Sequence, residues 1–206
     1  MARSKSSQRW LKEHFSDPYV KSAQQKGYRS RAVFKLIEIQ NKDKIIQSGM
    51  TVIDLGAAPG GWSQIVSEWI GKKGKIIALD ILPMDDLPDV HFVLGDFRES
   101  EIFEKVVSLM GENKADVVLS DMAPNTSGQA SVDQPRAMFL AELSFELAKK
   151  TLKKQGTLVV KVFQGEGIDA FIKALKGAFK QVLIRKPDAS RSRSRESYLV
   201  AKGFML

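Results

Sequence analysis

Hydrophobic and polar positions change rhythm near residue 51. From Thr51 to Lys202, short apolar runs alternate with segments whose apolar residues recur every three or four positions. The runs at 51–55, 75–80, 90–94, 116–120, 157–163, 180–184 and 197–202 are rich in Val, Ile and Leu and predict strands. Between them, 61–70, 99–110, 133–154 and 168–176 predict helices. Several strands are almost continuously apolar, as expected where helices cover both faces of a parallel sheet. The alternation therefore predicts an α/β protein with a doubly wound, mostly parallel sheet. Upstream, Arg29–Gln40 (RSRAVFKLIEIQ) predicts an amphipathic helix capped by Ser30. Val33, Leu36, Ile37 and Gln40 fall on one side, with Arg31, Lys35 and Glu38 on the other. That pattern makes Lys35 a solvated lysine. A second, short helix is predicted within Trp10–Gln25, where Trp10, Phe15 and Tyr19 are aromatic anchors.

The first strand runs into VIDLGAAPGGWSQ (52–64), a turn containing Gly56, Gly60 and Gly61 that feeds a helix. A parallel strand ending in glycines places a backbone-lined crevice at the carboxyl edge of the sheet, where open α/β folds bind ligands. Glycine permits close approach and positive φ, and the helix N-terminus offers N–H groups to an anionic end. The spacing is G-x-x-x-G-G, so the G-x-G-x-x-G dinucleotide fingerprint is not met. Asp54 lies within the last turn of the strand, where a carboxylate is costly to bury without a partner.

Charge changes the picture next. The chain has 206 residues, enough for one domain. Its 32 basic and 24 acidic residues give a net charge of +8, which points to a polyanionic partner. Basic residues gather in the first 35 positions and the last 25, and the arm Met1–Arg9 contains no acid. Nucleic acid fits this distribution better than a membrane surface, because no amphipathic anchor is visible, and no apolar run approaches the roughly 20 residues needed to cross a bilayer. The absence of cysteine fits a reducing, cytoplasmic setting. With only His14 and His91 besides, no zinc-ligand pattern exists.

Candidate chemistry sits at strand ends. Asp80 closes the second strand, where an acid accepts hydrogen bonds from ribose hydroxyls or caps the next turn. Asp96 follows the third strand with Phe97 beside it, available to flank a base; a turn aspartate is the plainer reading. Asp121 in SDMAPN (120–125) ends the fourth strand and points into the crevice. Lys161 interrupts the apolar run VVKVF, a position rarely buried without a partner and therefore a functional candidate. Glu196 stands among cations as either a screened ion pair or a site residue. Arg191, Arg193 and Arg195 alternate and would share one face of an extended chain, forming with Lys186 a phosphate-gripping strip beside the crevice. A solvated charged loop is the alternative.

Taken together, VIDLGAAPGGWSQ, SDMAPN followed by VDQPRAM, VVKVFQGEG and RKPDASRSRSRESYLVA resemble the bacterial FtsJ (RrmJ, RlmE) family of ribosomal RNA ribose 2′-O-methyltransferases. The likeness runs from about Arg9 through Lys202 and includes RWLKEHFSDPYVKSAQQKGYRSRAVFKL. It implies a Rossmann-like class I methyltransferase fold with a seven-stranded sheet, as a single domain over 1–206 with a basic extension at 1–28. It also implies S-adenosylmethionine as cofactor and a Lys-Asp-Lys-Glu tetrad, which by motif is Lys35, Asp121, Lys161 and Glu196. Gly60 and Trp62 in the glycine turn, Asp80 on the ribose, Asp96 near the adenine and Asp121 near the methyl donor are the implied cofactor contacts. The implied substrate is a uridine 2′-OH in the A-loop of 23S rRNA, modified on the large ribosomal subunit. A monomer is the default expectation, and no metal is expected because the sulfonium is already an activated methyl donor.

Lys161 is then the expected general base, oriented by Asp121. Lys35 would stabilise charge on the 2′-oxygen, and Glu196 would fix Lys35 or the ribose. Arg31, Arg191, Arg193 and Arg195 are expected to contact phosphates. A tRNA or mRNA-cap ribose methyltransferase would share the tetrad, and an RNA-binding assembly factor with a vestigial pocket is a further reading. A nicotinamide oxidoreductase is disfavoured by the glycine spacing.

Overall fold

The computed structural model describes residues 17–191 and 193–206. The arm Met1–Arg9 and the anchors Trp10 and Phe15 lie outside the described residues. Helix α1 (Pro18–Gln25) is capped by Asp17, whose carboxylate accepts the Tyr19 N–H at 2.9 Å, with Pro18 in the first turn where its missing N–H is harmless. Helix α2 (Val33–Asp43) begins later than the sequence pattern predicts. Ala32 stands at its N-cap, and Ser30 instead packs against Gly61.

The seven strands are β1 (Thr51–Leu55), β2 (Lys75–Asp80), β3 (Val90–Leu94), β4 (Ala115–Ser120), β5 (Leu152–Phe163), β6 (Phe179–Arg185) and β7 (Glu196–Phe204). They form one sheet in the order β3-β2-β1-β4-β5-β7-β6. All pairings are parallel except those of β7, which lies antiparallel between β5 and β6. Helices α3 (Gly61–Ile70), α4 (Ser100–Met110), α5 (Ala130–Thr151) and α6 (Ile168–Ala178) connect or flank the strands. Alternation along β1 sends Ile53 and Leu55 toward the α4–α6 layer and Val52 toward the α2–α3 layer. Both layers are built from buried apolar side chains. Leu36 and Ile39 of α2 and Ile70 of α3 are fully buried, each contributing roughly 1.5–3 kcal/mol by leaving water.

Helix α5 ends at Thr151, three residues before the predicted limit. Leu152 is extended and buried opposite Ala115, so pairing overrides the helical rhythm of the preceding residues. The register then shifts between Ala115 and Val117. The sheet thus brings the carboxyl ends of β1, β2 and β4 to one edge, where Gly56, Asp80 and Asp121 meet.

Candidate active site

A cleft of about 620 Å³ opens at that edge, lined among others by Gly56, Asp80, Asp96, Phe97, Asp121 and Met122. Gly56 has φ +73°, and a Cβ there would come within 2.7 Å of Met122 Cγ, so only glycine permits β1 and the 121–125 loop to approach this closely. The buried Asp80 carboxylate accepts the Ala58 N–H and the Leu82 N–H, both at 2.9 Å. Each oxygen retains a lone pair for a ligand hydroxyl. Asp96 accepts the Arg98 N–H at 3.0 Å and its guanidinium, which holds the carboxyl below its usual range. Ile81 and Leu82 line the same cleft while 69% and 60% exposed, an apolar rim that a planar ligand would cover. These walls fit an adenosine-bearing cofactor: an apolar slot, a ribose acceptor and a backbone turn without side-chain obstruction.

The side chain of Trp62 does not line the cleft. It is buried, its indole N–H donates to the Ala32 carbonyl at 2.8 Å, and its ring packs 5.7 Å from Tyr198. Gly60 and Gly61 stand behind the rim, against Met84 and Ser30 respectively. Beneath the turn, Asp54 accepts the Ser63 hydroxyl at 2.7 Å through one oxygen while the other has no hydrogen-bond partner. Burial pushes its carboxyl up to about 7.

At the other end of the cleft the four tetrad residues come together as two ion pairs. Lys161 Nζ donates to the Asp121 carboxylate at 2.8 Å and to the Asp121 carbonyl at 2.6 Å. Lys35 Nζ lies 2.7 Å from Glu196. Register explains the assembly: Lys161 is opposite Tyr198 and Phe163 is opposite Glu196 in the β5–β7 pairing. Lys35 is 12% exposed in its side chain, which corrects the solvated position that periodicity alone gives it. The polar face of α2 covers the tetrad rather than water.

Tyr198 was not among the predicted site residues. Its hydroxyl donates to Asp121 Oδ1 at 2.6 Å, and its ring lies under the Lys35 ammonium at 5.9 Å. Alternation along β7 puts it on the face of Glu196, and that is the signal the sequence held. Burial pushes the Asp121 carboxyl up, but the Lys161 and Lys35 charges and the hydrogen bonds from Lys161 and Tyr198 bring it below the usual carboxylate range. Burial likewise raises the Glu196 carboxyl, but the Lys35 charge and hydrogen bond, with the Lys161 charge, help bring it below the usual carboxylate range. The Tyr198 phenol is held well above its normal value by burial and the neighbouring carboxylates. Both carboxylates therefore stay ionised, and Tyr198 stays a donor.

A family model described as FtsJ-like methyltransferase matches residues 28–204. The chain belongs to the FtsJ-like methyltransferase family. Enzymes of this family use S-adenosylmethionine, which makes this chain an S-adenosylmethionine-dependent enzyme. It is similar to the curated ribosomal RNA large subunit methyltransferase E of Cellvibrio japonicus, 57% identical over all of this chain and 97% of the relative. The protein of the same name from Legionella pneumophila is 56% identical over the full length of both. A crystal structure named as a ribosomal RNA methyltransferase of Plasmodium falciparum superposes with a TM-score of 0.75 at 32% identity, covering 86% of this chain and 98% of that one.

In this FtsJ-like enzyme the basic loop after β6 is folded, not extended. Ser194 N–H donates to the Arg191 carbonyl at 2.8 Å, closing a turn, so Arg191, Arg193 and Arg195 do not share a face by strand alternation. Glu38 accepts the Asp188 and Ala189 N–H groups at 2.6 and 2.9 Å, and Lys186 donates to the carbonyls of Ser194 and Glu196 at 2.5 Å each. Arg31 is turned inward. It pairs with Asp17 at 2.6 Å and donates to the Ala189 carbonyl, tying α1, α2 and the loop together. Arg191 also approaches Asp17, at 3.9 Å, while Arg193 and Arg195 are exposed. The guanidinium of Arg31 thus braces the basic loop, while Arg193 and Arg195 lie exposed on it.

Proposed function

We propose that the protein transfers the methyl group of S-adenosylmethionine to the ribose 2′-OH of a uridine in the A-loop of 23S rRNA, acting as a monomer on the large ribosomal subunit in the cytoplasm. The observation that carries this reading is the pair of lysine–carboxylate contacts, at 2.8 and 2.7 Å, beside a cleft of about 620 Å³ that Asp80, Asp96 and Asp121 line. The names of the relatives, matched over 97% and 100% of their own lengths, support large-subunit rRNA as the substrate.

Bound in the cleft, the cofactor supplies an electrophilic methyl on a sulfonium. Asp80 holds the ribose hydroxyls, and Gly56 keeps the floor clear. Once it has given up its own proton, Lys161 would take that of the 2′-OH as the methyl passes from the bound cofactor to that oxygen. Asp121 orients Lys161 through two contacts and is itself fixed by Tyr198. Lys35 faces the negative charge that grows on the 2′-oxygen, and Glu196 holds Lys35 in place. Arg193 and Arg195 meet RNA phosphates at the mouth.

The test uses S-adenosylmethionine with a labelled methyl, offered with large subunits, free rRNA and tRNA from a strain lacking the enzyme. Label mapping to one ribose 2′-O of the subunit's rRNA is the expected result. Label on tRNA would overturn the substrate and keep the chemistry; no label on any RNA would overturn the reading.

A further inference from the structure

We propose that Arg29 is a positioning residue that clamps the rim of the cofactor cleft to the segment leading into Lys35. Its guanidinium donates to three backbone carbonyls belonging to two different loops: Asp85 at 2.6 Å, Asp86 at 2.7 Å and Pro59 at 3.3 Å. Asp85 and Asp86 belong to the β2–β3 loop, and Pro59 to the glycine turn. All three partners are main-chain acceptors, so the clamp depends on the fork of the guanidinium and not on any partner side chain.

The same residue is stitched on its other side. The Arg29 N–H donates to the Gln64 side-chain carbonyl at 3.1 Å, and the Gln64 amide donates to the Gly27 carbonyl at 3.0 Å. The junction is tight. A Cβ built at Gly60 would lie 2.8 Å from Met84 Sδ and 3.1 Å from Arg29 Nη1. Gln64 of the glycine motif therefore grips the approach to α2 rather than a ligand.

Two consequences follow for the reaction. The β2–β3 loop begins with Ile81 and Leu82, the exposed apolar rim of the cleft, so the clamp holds that rim over the cofactor's adenosine. It also fixes the start of the segment that carries Lys35 six residues on. A basic residue in a basic segment would ordinarily be assigned to RNA phosphate. Here the guanidinium is already committed to carbonyls, and its loss should be felt at the cofactor.

The test compares the full-length protein with Arg29→Ala and Arg29→Lys. Binding of S-adenosylhomocysteine is measured by calorimetry, which needs no RNA and so stands whatever the RNA target proves to be. The clamp predicts about tenfold weaker binding for Arg29→Ala, a loss on the scale of one charge-assisted hydrogen bond. Arg29→Lys should recover part of it, since an ammonium reaches some of the carbonyls without the fork. In turnover, the KM for S-adenosylmethionine should rise more than kcat falls, and the salt slope of RNA binding should be unchanged. If Arg29→Ala does not fold, Arg29→Lys must still show an intermediate affinity. Homocysteine-derivative binding within twofold of wild type would overturn the proposal. A salt slope reduced by about one unit with cofactor affinity intact would overturn it too, and would return Arg29 to the phosphates.

Discussion

The two lysine–carboxylate pairs look alike in distance but are built differently. Lys161 and Asp121 both belong to the sheet, on β5 and at the end of β4, and a second lysine contact plus the Tyr198 hydroxyl lock them. Lys35 and Glu196 join a helix to a strand through one contact, and their alignment depends on the stitched segment before α2. The sheet pair is preorganised by register; the helix pair is held by packing and loops. Preorganised charge is what lowers a barrier at least cost in reorganisation. The sheet pair should therefore carry the larger share of the chemistry, and the helix pair should be the one that mutations elsewhere disturb.

The largest break comes from Lys161→Ala. The loss of a general base lowers kcat by about 10²–10⁴, with S-adenosylhomocysteine affinity nearly intact; turnover within tenfold of wild type would remove Lys161 from that role. Next, Lys35→Ala removes electrostatic stabilisation only and should cost about 10²–10³ in kcat. A loss exceeding that of Lys161→Ala would invert the ranking of the pairs. Asp80→Ala acts on the other end of the cleft, weakening cofactor affinity by about tenfold or more, and an unchanged dissociation constant would take it out of the ribose site. Tyr198→Phe sharpens the comparison at small scale. It removes one hydrogen bond from Asp121 and should slow turnover by roughly two- to tenfold without changing cofactor affinity.

Asp54 offers a test in stability. Its carboxyl is raised from 3.8 to about 7, so the folded state favours the neutral acid. The protein therefore loses stability as pH rises from about 4 to about 7, where the unfolded chain ionises first. Asp54→Asn removes that titration. The Tm of the variant should exceed that of wild type by more at pH 8 than at pH 5, and equal differences at the two pH values would mean that Asp54 is ionised in the native state.

Much of this architecture is legible in the sequence because parallel strands buried on both faces write continuous apolar runs. Each of the seven predicted strands is present, although β5 begins at Leu152, five residues before its predicted start and inside the predicted helix. What the pattern misses is long-range. The periodicity of α2 separates Lys35 from the core correctly but cannot say that its polar face covers a tetrad. Trp62 and Gln64 sit in a cofactor motif yet serve the neighbouring segment, a contact between residues about thirty positions apart. The alternation of Arg191, Arg193 and Arg195 suggests an extended strip, but a local turn and the Glu38 carboxylate fold it. Tyr198 passes for a core aromatic until register sets its hydroxyl on Asp121.

The central claim is that Lys161 and Asp121 act as one unit, and a double-mutant cycle tests it most directly. Single-turnover transfer of labelled methyl to large-subunit rRNA would be measured for Lys161→Ala, Asp121→Asn and the double variant. Residues acting as a unit give strongly non-additive losses, so the double variant should react within about threefold of the slower single variant. Losses that multiply would mean that Asp121 works independently of Lys161, and would contradict the account.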